Sequence, residues 1–368
     1  MDNENIIIDI PMLEEGEKPP KKSLRRTAPT VAAILFLVFS LIIHSAMAVK
    51  AVEYLKNEGS QLLFSFLIPD FAVSEPLTPP LPEGSHVEDG DGEREYDFLI
   101  RENDLSTSAE YGLSLTNETS YAPDLYLLLG SDRPGAVLSE LDRTYGKDAP
   151  KVLIYHTHAT EGYADTYGTG FRTTDTERNV VAMGELICRV LEKAGIPTVH
   201  LTELFDSEDW SRAYDNSNAK VTEALKRYPS IKYVFDVHRD CIGNDGEGYV
   251  SASTTLFEKS VAQLMFVCGT DEGGSGHRDW RSNLTTALQL QSQIFEKHPS
   301  LMRPVNLRRA SFYQDTSPCS LILECGTCAN TLEEAGRGAV IFAVFLADYI
   351  KGADAGLDTE ALIDSLCP

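Results

Sequence analysis

The alternation of strand-like and helix-like patterns between residues 150 and 352 is the feature that most constrains the fold. Short apolar runs are typical of buried strands, and five of them occur, at 151–155, 197–201, 231–238, 262–269 and 319–326. Segments with apolar residues at helical spacing lie at 179–195, 209–230, 282–299 and 331–352. This order predicts an α/β fold, in which a mostly parallel twisted sheet carries helices on both faces.

Ionisable side chains follow three of the predicted strands. The sequences YHTHATE (155–161), DVHRD (236–240) and LILECG (321–326) end the first, third and fifth runs, and they contain three of the eight histidines. Because ligand sites in such sheets lie outside the carboxyl ends of the strands, we expect these side chains to converge. Two imidazoles and a carboxylate suit an open catalytic zinc site, with a further carboxylate as general base. The alternative is that the histidines are ordinary capping or surface residues.

A long apolar segment near the N-terminus predicts a membrane anchor. The cluster KKSLRR (21–26) is followed by Thr27–Val49, in which His44 is the one titratable side chain. About 20 apolar residues cross a bilayer core, and the basic cluster places the N-terminal end in the cytoplasm. We expect a single-pass protein of the cell membrane with its main domain outside the cytoplasm. Ala46-Met47-Ala48 resembles a cleavage site, so a cleaved signal peptide is the alternative.

The rest of the chain divides by composition. The segment after the anchor contains a stretch rich in proline, glycine and acidic residues, which is typical of a linker. We therefore predict a cytoplasmic tail (1–26), a transmembrane anchor (27–49), a partly disordered stalk (50–148), a catalytic domain (149–352) and a C-terminal tail (353–368).

Charge and missing motifs exclude several function classes. The chain has 32 Lys and Arg against 56 Asp and Glu, a net charge of -24, whereas a nucleic-acid-binding domain needs a basic face. The sequence contains neither an HExxH helix motif of zinc proteases nor a GxSxG nucleophile motif, which disfavours those two enzyme types. Seven cysteines are too few for a disulfide scaffold, and the odd number leaves one thiol unpaired or bridging to another chain.

Four separated blocks resemble the stage II sporulation protein P family: VLIYHTHATEGY (152–163), RNVVAMGE (178–185), VFDVHRD (234–240) and the segment 311–335. The resemblance covers about residues 150–352 and includes the N-terminal anchor and stalk. It implies a membrane-anchored peptidoglycan hydrolase with a fold similar to zinc-dependent N-acetylmuramoyl-L-alanine amidases. It further implies endopeptidase cleavage of crosslinked stem peptides, action during engulfment of the forespore, and partnership with stage II sporulation proteins D and M.

The resemblance also implies a site. His158 and His238 take the positions of the two zinc imidazoles, and Glu324 that of the carboxylate that activates the attacking water. Glu161 is the expected third ligand, with Glu177 and His156 as the alternatives left open. Alternatively, His156 orients one of the ligand side chains without binding the metal itself, because ligand imidazoles need a partner on their other nitrogen.

The resemblance also implies roles for residues next to this site. Arg239 is expected to stabilise the oxyanion at the scissile carbonyl, and the alternative is an ion pair with Asp240 or Asp236. The block Tyr313–Asp315 is expected to bind the stem peptide, or else to form ordinary loop hydrogen bonds.

A CxxC sequence, Cys325 to Cys328, departs from what we expect of the family after the glutamate. A redox pair, half of a zinc site and a strained disulfide are the interpretations, and Cys319 is a further pairing partner for either cysteine. A different function remains open beside hydrolysis: a catalytically silent, anchored scaffold that binds peptidoglycan or a partner hydrolase.

Overall fold

A computed structural model describes residues 100–103, 112–166, 170–244, 246–274 and 276–367. These residues belong to one unit, Gly84–Pro368. The predicted cytoplasmic tail, transmembrane anchor and N-terminal half of the stalk lie outside the described residues. Within the described residues, no helix combines the length and the apolar character that a membrane span requires.

The described residues form eleven strands and seven α-helices. The strands are β1 (Ile100–Asn103), β2 (Leu115–Asn117), β3 (Val152–Tyr155), β4 (Thr198–His200), β5 (Tyr233–Asp240), β6 (Gly243–Asn244), β7 (Gly248–Leu256), β8 (Lys259–Ala262), β9 (Leu264–Gly269), β10 (Val305–Arg308) and β11 (Cys319–Thr327). The helices are α1 (Leu125–Leu129), α2 (Leu138–Tyr145), α3 (Val180–Lys193), α4 (Ala213–Arg227), α5 (Trp280–Lys297), α6 (Leu332–Lys351) and α7 (Thr359–Leu366). The 3₁₀ turns Trp210–Arg212 and Gln314–Thr316 lie before α4 and before β11.

Seven strands form the main sheet, in the order β2-β10-β9-β11-β5-β3-β4. Neighbouring strands are parallel except for β9 and β11, which are antiparallel. The predicted mixed α/β fold is confirmed. The antiparallel pair arises because β9 follows the β7–β8 hairpin after a single residue and begins beside Cys325, near the carboxyl end of β11, so that it runs in the opposite direction. A second sheet has the order β1-β7-β6, with β8 paired to β7.

Two regions predicted to lie outside the domain contribute to its packing. The segment 112–148 was expected to be stalk, yet it supplies β2 to the edge of the main sheet as well as α1 and α2. The predicted tail contains α7, in which Leu362 and Ile363 are buried in the main core. These elements have only three to eight residues each, so their sequence patterns are too short to distinguish them from loop segments.

The two faces of the main sheet are covered unequally. Helices α3, α5 and α6 cover one face with a large apolar core that includes Phe235, Val237 and Leu323. The other face carries only two small apolar clusters, one under α4 around Val234 and one around Ile322. Asp236, His238 and Glu324 lie on this same face, because they alternate along β5 and β11 with residues of the main core.

The ends of β5 and β11 are joined covalently by a disulfide between Cys241 and Cys328. The strand register pairs Asp240 with Thr327, so the residues that follow them meet. The interpretation of Cys325–Cys328 as a local pair or half of a zinc site is wrong, because Cys325 is buried in the main core and Cys328 is bonded elsewhere. Between them, Gly326 has a φ of +73° within an irregularity of the strand, which turns Cys328 away from Cys325.

Removal of this disulfide is expected to destabilise the domain. It closes a long loop, with a sequence separation of 87 residues, so its loss should lower the free energy of unfolding by about 2–4 kcal/mol. Thermal unfolding with and without reductant measures the effect. The doubly substituted Cys241→Ser/Cys328→Ser protein is the control, since reductant should shift the melting temperature of the wild type only. An equal shift in both proteins would contradict the assignment.

Candidate active site

His238 lies near the carboxyl end of β5 and is held between two carboxylates. Its Nε2 is 2.9 Å from Oδ1 of Asp236, and its Nδ1 is 3.2 Å from Oε2 of Glu161. Asp236 is itself fixed, because it accepts hydrogen bonds from the backbone N–H and the hydroxyl of Thr157 at 2.8 and 2.6 Å. Burial alone would lower the pKa of His238, but the two carboxylates raise it well above its usual value.

His158 lies in the turn that follows β3 and is surrounded by rings. Its imidazole stacks on the indole of Trp210 at 4.6 Å between centroids, and Tyr214 contacts it edge-on at 5.4 Å. The His158 and His238 rings are 5.5 Å apart. Burial lowers the pKa of His158 to about 4, so the ring is neutral near pH 7, which is the form that binds metals. Its Nδ1 is buried without a hydrogen-bond partner.

Asp206 is a site residue that the sequence analysis did not single out. It accepts hydrogen bonds from the backbone N–H and hydroxyl of Thr160 at 3.1 and 2.6 Å and from Arg172 at 3.0 Å. Its Oδ2 is 3.9 Å from Nδ1 of His158. Asp206 therefore holds the turn that carries His158 and Glu161. No sequence pattern distinguishes it from the acidic residues around it.

Arg239 contacts Glu161 and the backbone rather than open space. Its Nε donates to the carbonyl of Gly162 at 2.9 Å and its Nη2 to that of Phe171 at 3.1 Å, while Nη1 is 3.9 Å from Oε1 of Glu161. Burial would raise the pKa of Glu161, but Arg239 and His238 lower it below its usual value. The ion-pair partner of Arg239 is thus Glu161, not Asp236 or Asp240, and its role at an oxyanion stays a prediction.

Glu324 lies beside His238, because the parallel register of β11 and β5 pairs these two residues. Paired residues of neighbouring strands point to the same face of the sheet. Burial raises the pKa of Glu324 to about 8, although the charge of His238 counteracts this shift. Oε2 of Glu324 is buried and has no hydrogen-bond partner. This oxygen is therefore available to accept or donate a proton.

The two alternative third ligands lie in other surroundings. His156 is fully buried, with Nδ1 donating to the carbonyl of Val237 at 2.9 Å and Nε2 in contact with Nε2 of His200, also at 2.9 Å. Glu177 lines a groove of about 640 Å³ together with His200 and Glu185. Glu161 is the candidate that contacts His238 directly, while His156 donates a hydrogen bond to the backbone of β5.

The donor atoms of the site suit zinc in chemical type but not in their present spacing. Among the described residues, no group of three or more His, Cys, Asp or Glu side chains is already spaced as the ligands of one metal ion. The chemistry fits nonetheless, because a neutral imidazole, a second imidazole and an ionised carboxylate converge beside an unpartnered carboxyl group. The 3.2 Å between Nδ1 of His238 and Oε2 of Glu161 is near the roughly 3.3 Å between two ligand atoms of tetrahedral zinc. Asp236 lies 2.9 Å from the other nitrogen of His238 without hydrogen-bond geometry, at the position where a ligand histidine commonly has a carboxylate partner.

The block Tyr313–Asp315 forms part of the wall of the site. Gln314 is buried and fixes the loop, since its side chain accepts from the N–H of Gly269 at 2.7 Å and donates to the carbonyl of Val267 at 2.8 Å. Tyr313 is 37% exposed, and its hydroxyl donates to Asp215 at 2.7 Å. Asp315 is exposed. Binding of stem peptide by this block stays a prediction.

An α/β domain that gathers histidines and carboxylates at the ends of three neighbouring strands is thus the class that fold and site define. The chain matches the family model for Stage II sporulation protein P over residues 88–347. Since this match covers well over half of the chain, the protein belongs to the Stage II sporulation protein P family. It is 28% identical over 260 residues to the Stage II sporulation protein P of Bacillus subtilis (strain 168), an alignment that spans 63% of this chain and 62% of that relative.

Solved structures show more distant similarity. An N-acetylmuramoyl-L-alanine amidase of Nostoc punctiforme is 17% identical with a TM-score of 0.34, over 55% of this chain and 97% of that one. An N-acetylmuramoyl-L-alanine amidase of Clostridium difficile 630 is 14% identical with a TM-score of 0.31, over 56% and 94% of the two chains. Scores at this level carry no argument about activity.

Replacement of Arg239 by alanine is expected to destabilise the domain by about 3–5 kcal/mol, because it removes one of the two cations beside the buried Glu161 and leaves the carbonyl groups of Gly162 and Phe171 without their donor. Chemical denaturation measures the change in the free energy of unfolding. Arg309→Ala is the matched control, because Arg309 is more than half exposed in its ion pair with Glu272 and such pairs contribute about 0–1 kcal/mol. Equal losses in both variants would contradict the structural role of Arg239.

Proposed function

We propose that this protein is a zinc-dependent peptidoglycan hydrolase that acts in sporulation, during engulfment, and cleaves the amide between N-acetylmuramic acid and L-alanine. Family membership supports the substrate and the setting. The observation that carries the proposal is the convergence of His158, Glu161 and His238, with Glu324 paired to His238 on the next strand. Cleavage of crosslinked stem peptides is the additional activity that we propose for the same site.

The residues that would hold zinc are His158, Glu161 and His238. The bound ion would supply positive charge that polarises the scissile carbonyl and lowers the pKa of water. Asp236 would keep a proton on Nε2 of His238 and so leave Nδ1 free for coordination. Asp206 would hold the turn on which His158 and Glu161 lie.

Glu324 is the proposed general base and acid. Its Oε2 would accept a proton from the attacking water and return it to the amide nitrogen of the leaving L-alanine. The group must begin ionised for this role, and a cation beside it favours the ionised form over the protonated form that burial favours. Its position next to His238 is fixed by the strand register, not by a flexible loop.

We further propose that Thr27–Val49 anchors the protein in the cell membrane with the domain outside the cytoplasm, and that stage II sporulation proteins D and M are its partners. The disulfide between Cys241 and Cys328 supports export, because disulfides persist in oxidising compartments. Family membership supports the partners.

The full chain, purified in detergent, is expected to contain about one zinc ion and to release intact stem peptides from peptidoglycan, as measured by elemental analysis and mass spectrometry. His238→Ala should lose zinc and activity together. Glu324→Gln should keep zinc while turnover falls by about 100-fold or more, because it removes the proton-transfer group and leaves the proposed ligands intact.

Glu223→Gln provides the matched control, since Glu223 is an exposed carboxylate in a surface ion pair with Lys220 and should behave like the wild type. Cleavage of crosslinks without release of stem peptides would show that the protein is an endopeptidase and not an amidase. Zinc and peptidoglycan binding without any product, even with the partner proteins added, would favour the scaffold function. Absence of zinc together with unchanged activity in Glu324→Gln would refute the proposed site.

A further inference from the structure

Arg172 is joined through its backbone to the turn that carries the proposed ligand Glu161. The two residues face each other in an antiparallel bridge. Beside this bridge the N–H of Gly162 donates to the carbonyl of Phe171 at 2.8 Å. Residues that face each other in such a pair are close neighbours. Arg172 therefore belongs to the framework of the candidate site and not to a separate loop.

The residue before Arg172 is held in an unfavourable backbone conformation. Phe171 has a φ of 54°, which is uncommon for a bulky residue and persists where the surroundings hold it, often at functional sites. Its carbonyl accepts from the N–H of Gly162 and, at 3.1 Å, from Nη2 of Arg239. Its buried ring packs against Tyr249. These contacts fix the direction in which the backbone presents Arg172.

One end of the Arg172 guanidinium is fixed next to His158. Its Nη1 donates to the hydroxyl of Thr160 at 2.9 Å and to Oδ2 of Asp206 at 3.0 Å. The same Oδ2 atom is 3.9 Å from Nδ1 of His158. A single carboxylate oxygen thus separates the guanidinium from a proposed zinc ligand.

The other edge of this guanidinium has donors for a ligand. Within the part of the chain that the structure describes, its hydrogen bonds use Nη1, and none uses Nε or Nη2. The Arg172 side chain is 36% exposed, whereas that of Asp206 is fully buried. The Nε–H and one Nη2–H of a guanidinium point in the same direction, so one carboxylate can accept from both. An accessible cation with a forked donor edge therefore borders the site.

The charge of the chain gives this cation a specific use. A net charge of -24 disfavours the approach of an anionic stem peptide, so binding of such a peptide needs a local positive group. Arg239 is already engaged, since Nε and Nη2 donate to backbone carbonyls and Nη1 faces Glu161. Arg172 has both the charge and the donors. Because Asp206 already holds its guanidinium, Arg172 loses little side-chain freedom on binding.

We propose that Arg172 determines substrate specificity by binding the carboxylate of the second stem-peptide residue, whose onward linkage through its side chain leaves the α-carboxylate free. This inference rests on the proposed function, because it names the part of peptidoglycan that is recognised beside the scissile amide. Two residues of extended peptide span about 7 Å, which suits the short path from His158 through Asp206 to the guanidinium. Arg172 would act on substrate binding and not on proton transfer.

Two synthetic muramyl peptides test this specificity on the zinc-loaded full chain. They differ only at the second residue, which carries a free α-carboxylate in one and an uncharged carboxamide in the other. The wild type should have a KM about tenfold lower for the carboxylate, with a similar kcat, because the contact is made before and during the reaction. Arg172→Gln should bring the ratio of the two KM values close to one. Arg172→Lys, which keeps the charge but not the forked donors, should retain part of the difference.

The KM ratio compares two substrates of one protein, so a smaller folded fraction in a variant does not change it. Arg189→Gln is the matched control, because Arg189 is an exposed arginine in an ion pair with Glu185 on α3, and it should keep the wild-type ratio. The Kd values of both peptides for Glu324→Gln, in which turnover is expected to be slow, give the same comparison without hydrolysis.

Equal KM values in a wild type that releases stem peptide would refute the carboxylate subsite and leave the hydrolase standing. An unchanged ratio in Arg172→Gln would also refute it, since the carboxylate would then be bound elsewhere. A tenfold difference in Kd in a protein whose wild type releases no product would refute the hydrolase and leave the subsite standing.

Discussion

The parallel pairing of β5 with β11 is the constraint on which the site depends. It pairs Glu324 with His238 and Ile322 with Asp236, so the proposed base and the candidate imidazole lie on one face of the sheet. A slip of one residue would turn Glu324 towards the main core and Leu323 towards the site, because successive side chains of a strand point to opposite faces. The register is fixed by that core, where Phe235, Val237 and Leu323 are fully buried.

Electrostatic compensation explains how so many ionisable groups are tolerated in a buried site. His238 lies between Asp236 and Glu161, and Arg239 contacts Glu161 while donating to two carbonyl groups. Each of these charges has a partner, which offsets the cost of burying it. Glu324 lacks such a partner, and its pKa is accordingly raised to about 8. A divalent cation among the donors would supply the charge that this arrangement lacks.

The central elements of the fold could be predicted from the sequence because their patterns are local. All five apolar runs contain strands of the main sheet. As expected for parallel strands, the residues at the carboxyl ends of β3, β5 and β11 lie close to one another. The β7–β8 hairpin, β2, β10 and α7 were not predicted. β2, β8, β10 and α7 have only three to eight residues, and β7, which has nine, pairs with β1, β6 and β8 outside the main sheet. Asp206 was missed for a related reason, because its function as a hydrogen-bond acceptor for Thr160 and Arg172 depends on contacts distant in sequence.

The unequal covering of the two sheet faces connects the fold to its proposed substrate. A face packed by α3, α5 and α6 provides rigidity, while the opposite face carries two small apolar clusters and the buried charged side chains of the site. The aromatic rings of Trp210 and Tyr214 contact His158 on this side, and the chain as a whole has a net charge of -24. Attraction of a negatively charged wall polymer by net charge is therefore unfavourable. Recognition of such a polymer therefore has to come from local contacts that do not depend on the net charge of the chain.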